Sequence, residues 1–254
     1  MLKNRVIPAL LLHKGGLVKT TKFKDARYIG DPVNAIRIFN EKEVDELMVL
    51  DITASKEGKE PDYNLIEEFA GECFTPLAYG GGIRTVTQAK RIFACGVEKI
   101  CIQTEAWENI QLIRELSDTF GSQSIIASLD VKRNWRGKPM PFKAAQQKTV
   151  DCDWLEQLEK LVQAGAGEVL LNAVDKDGTL SGPDLSLINQ ASQAIDVPLI
   201  AIGGISSLTD IKAAVDSGAS AVAAGAFFIF HGPHKAVLIT YPKYHDLEQL
   251  FEKF

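Results

Sequence analysis

The sequence has little of what secreted, metal-binding or membrane-spanning proteins depend on. Its four cysteines, Cys73, Cys95, Cys101 and Cys152, form no Cys-x-x-Cys pair and sit within apolar or helical stretches. That spacing excludes a thiolate metal cage and a dense disulfide framework, and predicts reduced core thiols in a cytoplasmic protein. His231 and His234 in the tail are too sparse for a metal site, so no metal or cofactor is expected. The apolar run of the opening MLKNRVIPALLLHKGG is far shorter than a membrane span and lacks a small-residue cleavage site, so nothing in it targets the chain elsewhere. Lysines and arginines are nowhere clustered and the net charge is −5, which argues against a nucleic-acid partner.

What is present is the composition of an ordinary globular chain, 254 residues with 46% hydrophobic and 24% charged side chains. Eight short apolar runs recur: Val6–Leu11, Leu47–Leu50, Leu77–Tyr79, Ile100–Ile102, Ile125–Leu129, Val169–Leu171, Leu199–Ile202 and Ala221–Ala224. Each reads as a buried parallel strand. Between them lie helical segments with start signals, as at Asp31-Pro32, Thr85-Val-Thr-Gln88 and Ser207-Leu-Thr-Asp210. Eightfold alternation of strand and helix at this length predicts a (β/α)8 TIM barrel. A doubly wound open sheet is the alternative, because order along the chain does not show closure.

An internal repeat supports the barrel. PLAYGGGIRTVTQAKRIFACGVEKI (76–100) matches PLIAIGGISSLTDIKAAVDSGASAV (198–222), and the same offset sets Glu46-Leu-Met-Val opposite Glu168-Val-Leu-Leu. The expectation is a single domain over 1–254 made of two half-barrels, about 1–122 and 123–240, followed by a C-terminal helix over about 241–254. The repeat also sets Leu11, at the end of the run Val6–Leu11, opposite Asp130, at the end of SIIASLD. One apparent twin ends in an acid and the other in a leucine.

Gly80-Gly-Gly-Ile83 and Gly203-Gly-Ile205 each join a strand to a helix, where free N–H groups and the helix start favour an anion. Tight turns would need the same glycines. Two copies at symmetric positions predict a ligand with phosphate at both ends, one held by Gly203, Gly204, Gly225 and Ala226, the other by Gly81 and Gly82 with Gln103-Thr104. The polar loop Asp175-Lys-Asp-Gly-Thr179, containing Asp177 and Gly178, lies at the same end. Asp51 and Asp130 end strands where barrel catalysts cluster, and Asp130 is the stronger candidate because an interior carboxylate is costly without a task. Arg5, Glu46, Lys99 and Glu168 start strands at the opposite mouth, where two cations and two anions can close a ring of ion pairs.

The stretches IPALLLHKGGLVK, VDELMVLDITAS, YGGGIRT, FGSQSIIASLDVKR, GAGEVLLNAVDKDGT and IAIGGI together resemble the cyclase subunit of imidazole glycerol phosphate synthase, over residues 1 to about 230. The resemblance implies a closed barrel and a class I glutaminase subunit docked at its lower mouth in a heterodimer. It implies that ammonia passes through the barrel to a bis-phosphorylated ribulosyl aminoimidazole substrate at the top, worked on by two aspartates. By the same resemblance Arg5, Glu46, Lys99 and Glu168 look like the ammonia gate. Lys19, Asp51, Thr104 and the glycine sites look like substrate-binding positions. Asp130 matches one catalytic acid, whereas the other belongs at Leu11.

Leucine cannot transfer a proton, and such groups commonly contribute ~10²- to 10⁴-fold in rate. Gln103, Asn172-Ala173 and NWRGKPMPFKAAQQKT also depart from the family pattern. LLLHKGGLVKT and FFIFHGPHKAVLITYP resemble instead a divergent branch whose members supply ammonia to an N-acetyl-sugar amidotransferase for surface polysaccharide. The alternatives are an authentic histidine-pathway cyclase and a non-catalytic ammonia conduit that activates its glutaminase.

Overall fold

A computed structural model describes residues 4–252. Strand β1 (Arg5–His13) runs on into an antiparallel hairpin, β2 (Gly16–Thr21) and β3 (Lys24–Gly30), and is followed by β4 (Leu47–Asp51), β5 (Leu77–Gly80) and β6 (Lys99–Ile102). In the second half β7 (Ile125–Arg133) runs on into β8 (Pro139–Lys143) and β9 (Lys148–Thr149), before β10 (Glu168–Ala173), β11 (Leu199–Ile202) and β12 (Ala221–Ala224). A last small hairpin joins β13 (Phe230–His231) to β14 (Ala236–Val237).

Strands β1, β4, β5, β6, β7, β10, β11 and β12 pair in parallel in that order, and β12 pairs back onto β1. The sheet is therefore a closed eight-stranded barrel, and the open-sheet alternative is excluded. The barrel strands cover all eight apolar runs read from the sequence. Helices over Pro32–Glu41, Tyr63–Gly71, Val86–Ala94, Gln111–Phe120, Trp154–Gln163, Leu185–Ala194, Leu208–Asp216 and Tyr244–Phe251 return the chain between strands and behind the last.

The three start signals act as expected. The side chains of Asp31, Thr85 and Ser207 accept hydrogen bonds from the backbone N–H groups of Asn34, Gln88 and Asp210, and Pro32 occupies the first turn. The C-terminal helix begins later than the expected residue 241, at Tyr244. A residue before proline avoids helical backbone, and Tyr241, before Pro242, instead extends its hydroxyl to the Val6 carbonyl at 2.8 Å. Residues 253–254 of that expected helix lie outside the described residues.

Two hydrophobic layers hold the fold. The larger lies between barrel and helices, around Phe39, Phe69, Tyr79, Leu116, Leu158 and Phe228. The smaller fills the barrel, with Ile7, Met48, Cys101, Ile126, Leu170 and Ile200. Because strand side chains alternate, Arg5, Ile7, Ala9, Leu11 and His13 share one face of β1. That face carries charge below, hydrocarbon in the middle and the lining of an upper cavity above.

Candidate active site

The lower mouth is closed by four side chains from four strand starts. The Arg5 guanidinium donates to Glu46 at 2.6 Å and also to Glu168, while Lys99 Nζ stands 3.1 Å from each of the same two carboxylates. Charges therefore alternate around the ring. Glu46 and Glu168 are 2% and 6% exposed, so each depends on its two cations to offset desolvation.

At the other end, where the strands finish, a cavity of about 630 Å³ opens. Its lining includes Leu11, Lys19, Asp51, Asp130 and both glycine turns. Asp130 is 3% exposed and accepts from Gln103 Nε2 at 3.0 Å. Gln103 is held in turn by the Thr104 hydroxyl, which donates to its Oε1 at 3.1 Å. Burial, reinforced by the Asp177 charge and opposed by the Gln103 and Asn172 side chains, pushes the Asp130 carboxyl up to about 7. That places it where a proton is both held and released near neutrality.

The ladder fixes what stands opposite. Leu11 pairs with Leu50 as Asp130 pairs with Asn172. The offset relating Glu46 to Glu168 also relates Leu50 to Asn172, so Leu11 and Asp130 hold equivalent seats. This equivalence holds although the second half carries three more residues between those strands, in its longer hairpin excursion.

The glycine turns are equivalent as well. Gly81 and Gly203 adopt φ of 125° and 112°, and a Cβ on them would lie 2.5 Å from the Asp51 carbonyl and 2.8 Å from the Ala173 carbonyl. No other residue fits either turn. Gly82 donates its N–H to Ser55 at 3.0 Å, and the Gly204 carbonyl accepts from Gly182 at 2.9 Å. Gly225 and Ala226 follow β12, with Gly225 packed directly on the Lys19 side chain. Lys19 is 5% exposed and donates to the Ala9 carbonyl at 2.5 Å. Burial lowers its ammonium to about 8 against the opposing pull of Asp177.

Asp177, which the sequence shows only as part of a polar loop, holds the β2–β3 hairpin. Its carboxylate accepts from the Thr20 hydroxyl at 2.7 Å and the Phe23 N–H at 3.2 Å, while its carbonyl accepts from Lys22 N–H at 3.0 Å. Gly178 abuts the Thr20 carbonyl. Together they clasp the β2–β3 hairpin over the cavity. Asp51 accepts from the N–H groups of Thr53 and Ala54 at 2.7 and 3.0 Å, and burial raises its carboxyl despite those bonds.

Among the lining residues that the sequence motifs do not single out is His13, and the period-two alternation beyond Leu11 is the signal that would have found it. Among the described residues no three His, Cys, Asp or Glu side chains gather as metal ligands, and no helix is long and apolar enough to cross a membrane.

The family model described as "Histidine biosynthesis protein" matches residues 5–234. A Pseudomonas aeruginosa protein provisionally named imidazole glycerol phosphate synthase subunit hisF2 is 49% identical, covering 98% of this chain and 99% of its own. A provisionally named subunit HisF of the same synthase from Leptospira interrogans is 47% identical over 99% of this chain and all of its own. The Thermobifida fusca imidazole glycerol phosphate synthase subunit HisF is 40% identical, covering 89% of this chain and 90% of its own.

Proposed function

The chain belongs to the histidine biosynthesis protein family, and from that membership we propose that it is a cyclase-type subunit of a glutamine-dependent synthase. A class I glutaminase subunit docks at the lower mouth, the ring of Arg5, Glu46, Lys99 and Glu168 gates ammonia into the barrel, and a phosphorylated ligand occupies the upper cavity. The work is cytoplasmic. The ammonia serves amidination of an N-acetyl sugar for surface polysaccharide, through an N-acetyl-sugar amidotransferase partner.

The observation that carries this reading is Leu11 in the seat equivalent to Asp130 above a complete ring of ion pairs. The ion pairs fit a channel entrance, whereas the family's paired acids are reduced to one.

A second reading, the authentic cyclase of histidine biosynthesis, is favoured by Asp130 held near neutrality between intact glycine turns. Growth separates the two. Expressed with its own glutaminase in cells lacking the histidine-pathway cyclase, the chain is expected to leave them dependent on histidine. Growth without histidine would overturn sugar amidination as the sole role.

A further inference from the structure

His13 stands one inward position above Leu11 on β1, at the point where the strand turns into its hairpin. Its Nδ1 lies 2.8 Å from the Thr53 hydroxyl, which also accepts the Lys14 N–H at 3.3 Å. Thr53 is 6% exposed, and its own N–H is tied to Asp51 at 2.7 Å. The imidazole is therefore fixed through one nitrogen by a buried residue that β4 positions. Nε2 has no hydrogen-bond partner among the described residues, and the residue lines the cavity that Asp130 lines from the other half-barrel. The charged groups around it are Asp51 from β4, Glu57 from the following helix with Lys59 paired to it at 2.6 Å, and Lys14 from its own turn.

We propose that His13 is the second proton-handling group of this cavity, standing in for the carboxylate absent at Leu11 and meeting a phosphorylated ligand through Nε2. This rests on the reading of the upper cavity as a phosphorylated-ligand site. Two residues along a strand displace the group by about 6.6 Å, so His13 serves a different ligand atom from the one an acid at Leu11 would reach. The step is a proton transfer alone: the Nε2–H bond breaks, the electron pair stays on nitrogen, and a ligand oxygen gains the proton. Solvent at the open mouth then restores the imidazolium. Histidine suits the task because it exchanges protons near neutrality.

The test uses the full chain and fructose 1,6-bisphosphate, a probe with phosphate at both ends. Calorimetric titration in two buffers of different ionisation enthalpy counts the protons taken up on binding. The wild type is expected to take up a proton that His13→Gln does not, whereas His234→Gln behaves as wild type. Affinity of His13→Gln is expected to fall about ten- to a hundredfold at about pH 5.5 and to match the wild type at about pH 8.5. Thr53→Val, which frees the ring, is expected to weaken binding in the same low-pH range and covers the case in which His13→Gln does not fold. Equal proton uptake and equal affinity across wild type, His13→Gln and Thr53→Val would overturn the role of His13 while leaving the phosphorylated-ligand reading intact. Failure of the wild type to bind at millimolar probe would overturn both.

Discussion

Leu11 stands beside Leu50 in the first half-barrel as Asp130 stands beside Asn172 in the second, so one ladder position holds a hydrocarbon on one side of the cavity and a carboxyl on the other. The cavity keeps, at one of two equivalent seats, the burial that makes an acid useful.

Asp130 costs stability where it is ionised. Its folded carboxyl, at about 7, sits above the ordinary value of 3.8, so between those values the folded chain holds a proton that the unfolded chain has released. Stability therefore falls as pH rises through that window, and the cost is complete above it. Asp130→Asn is expected to stabilise the protein by on the order of 2–4 kcal/mol at about pH 8 and to change little at about pH 4. Urea unfolding at the two pH values measures this; equal stability of variant and wild type at the higher pH would show that Asp130 is not desolvated.

The ring should be intolerant of losing one member. Glu46→Ala leaves Arg5 and Lys99 sharing Glu168, and the expected loss is about 3–5 kcal/mol, the usual cost of breaking a buried pair from one side. The midpoint of chemical denaturation reads it. A shift below about 1 kcal/mol would class these as surface pairs.

Lys19 and Asp130 define a narrow working range. Lys19 is an ammonium below about 8, and Asp130 is a carboxylate above about 7. A process needing both charges is expected to peak between those values and fall on either side. A binding or rate profile that peaks there, is lost throughout in Asp130→Asn and has its alkaline limb moved by Lys19→Arg would match; a flat profile would not.

Gly178 holds the hairpin in place. Its φ is 65° and a Cβ on it would collide with the Thr20 carbonyl oxygen, so Gly178→Ala is expected to push the clasp apart. Hydrogen exchange should then rise over Thr20–Tyr28 without a matching rise in the barrel strands. Unchanged protection of Lys22 and Phe23, whose N–H groups Asp177 accepts, would refute the clasp.

The barrel was legible because its strands are buried on both faces and read as continuous apolar runs, punctuated by caps whose side chains bind as their spacing implies. The hairpins were not. β3 is mostly exposed and KTTKFKDARYIG shows no alternation; its strands are held by Asp177, which lies far along the chain. The ring was legible from charges at strand starts, and the Leu11–Asp130 equivalence from the repeat. The alternation beyond Leu11 puts His13 on the same face, but the hydroxyl that fixes its ring nitrogen lies forty residues away and shows in no local pattern.

The central claim, a barrel that keeps the ammonia entrance but lacks one of two acids, is tested most directly by restoring the acid. Leu11→Asp and wild type are to be compared in turnover of the bis-phosphorylated ribulosyl aminoimidazole nucleotide, with ammonium as nitrogen source. The account predicts feeble turnover by the wild type and a gain of about 10²- to 10⁴-fold in Leu11→Asp. Rapid turnover by the wild type with no gain from the new aspartate would contradict it.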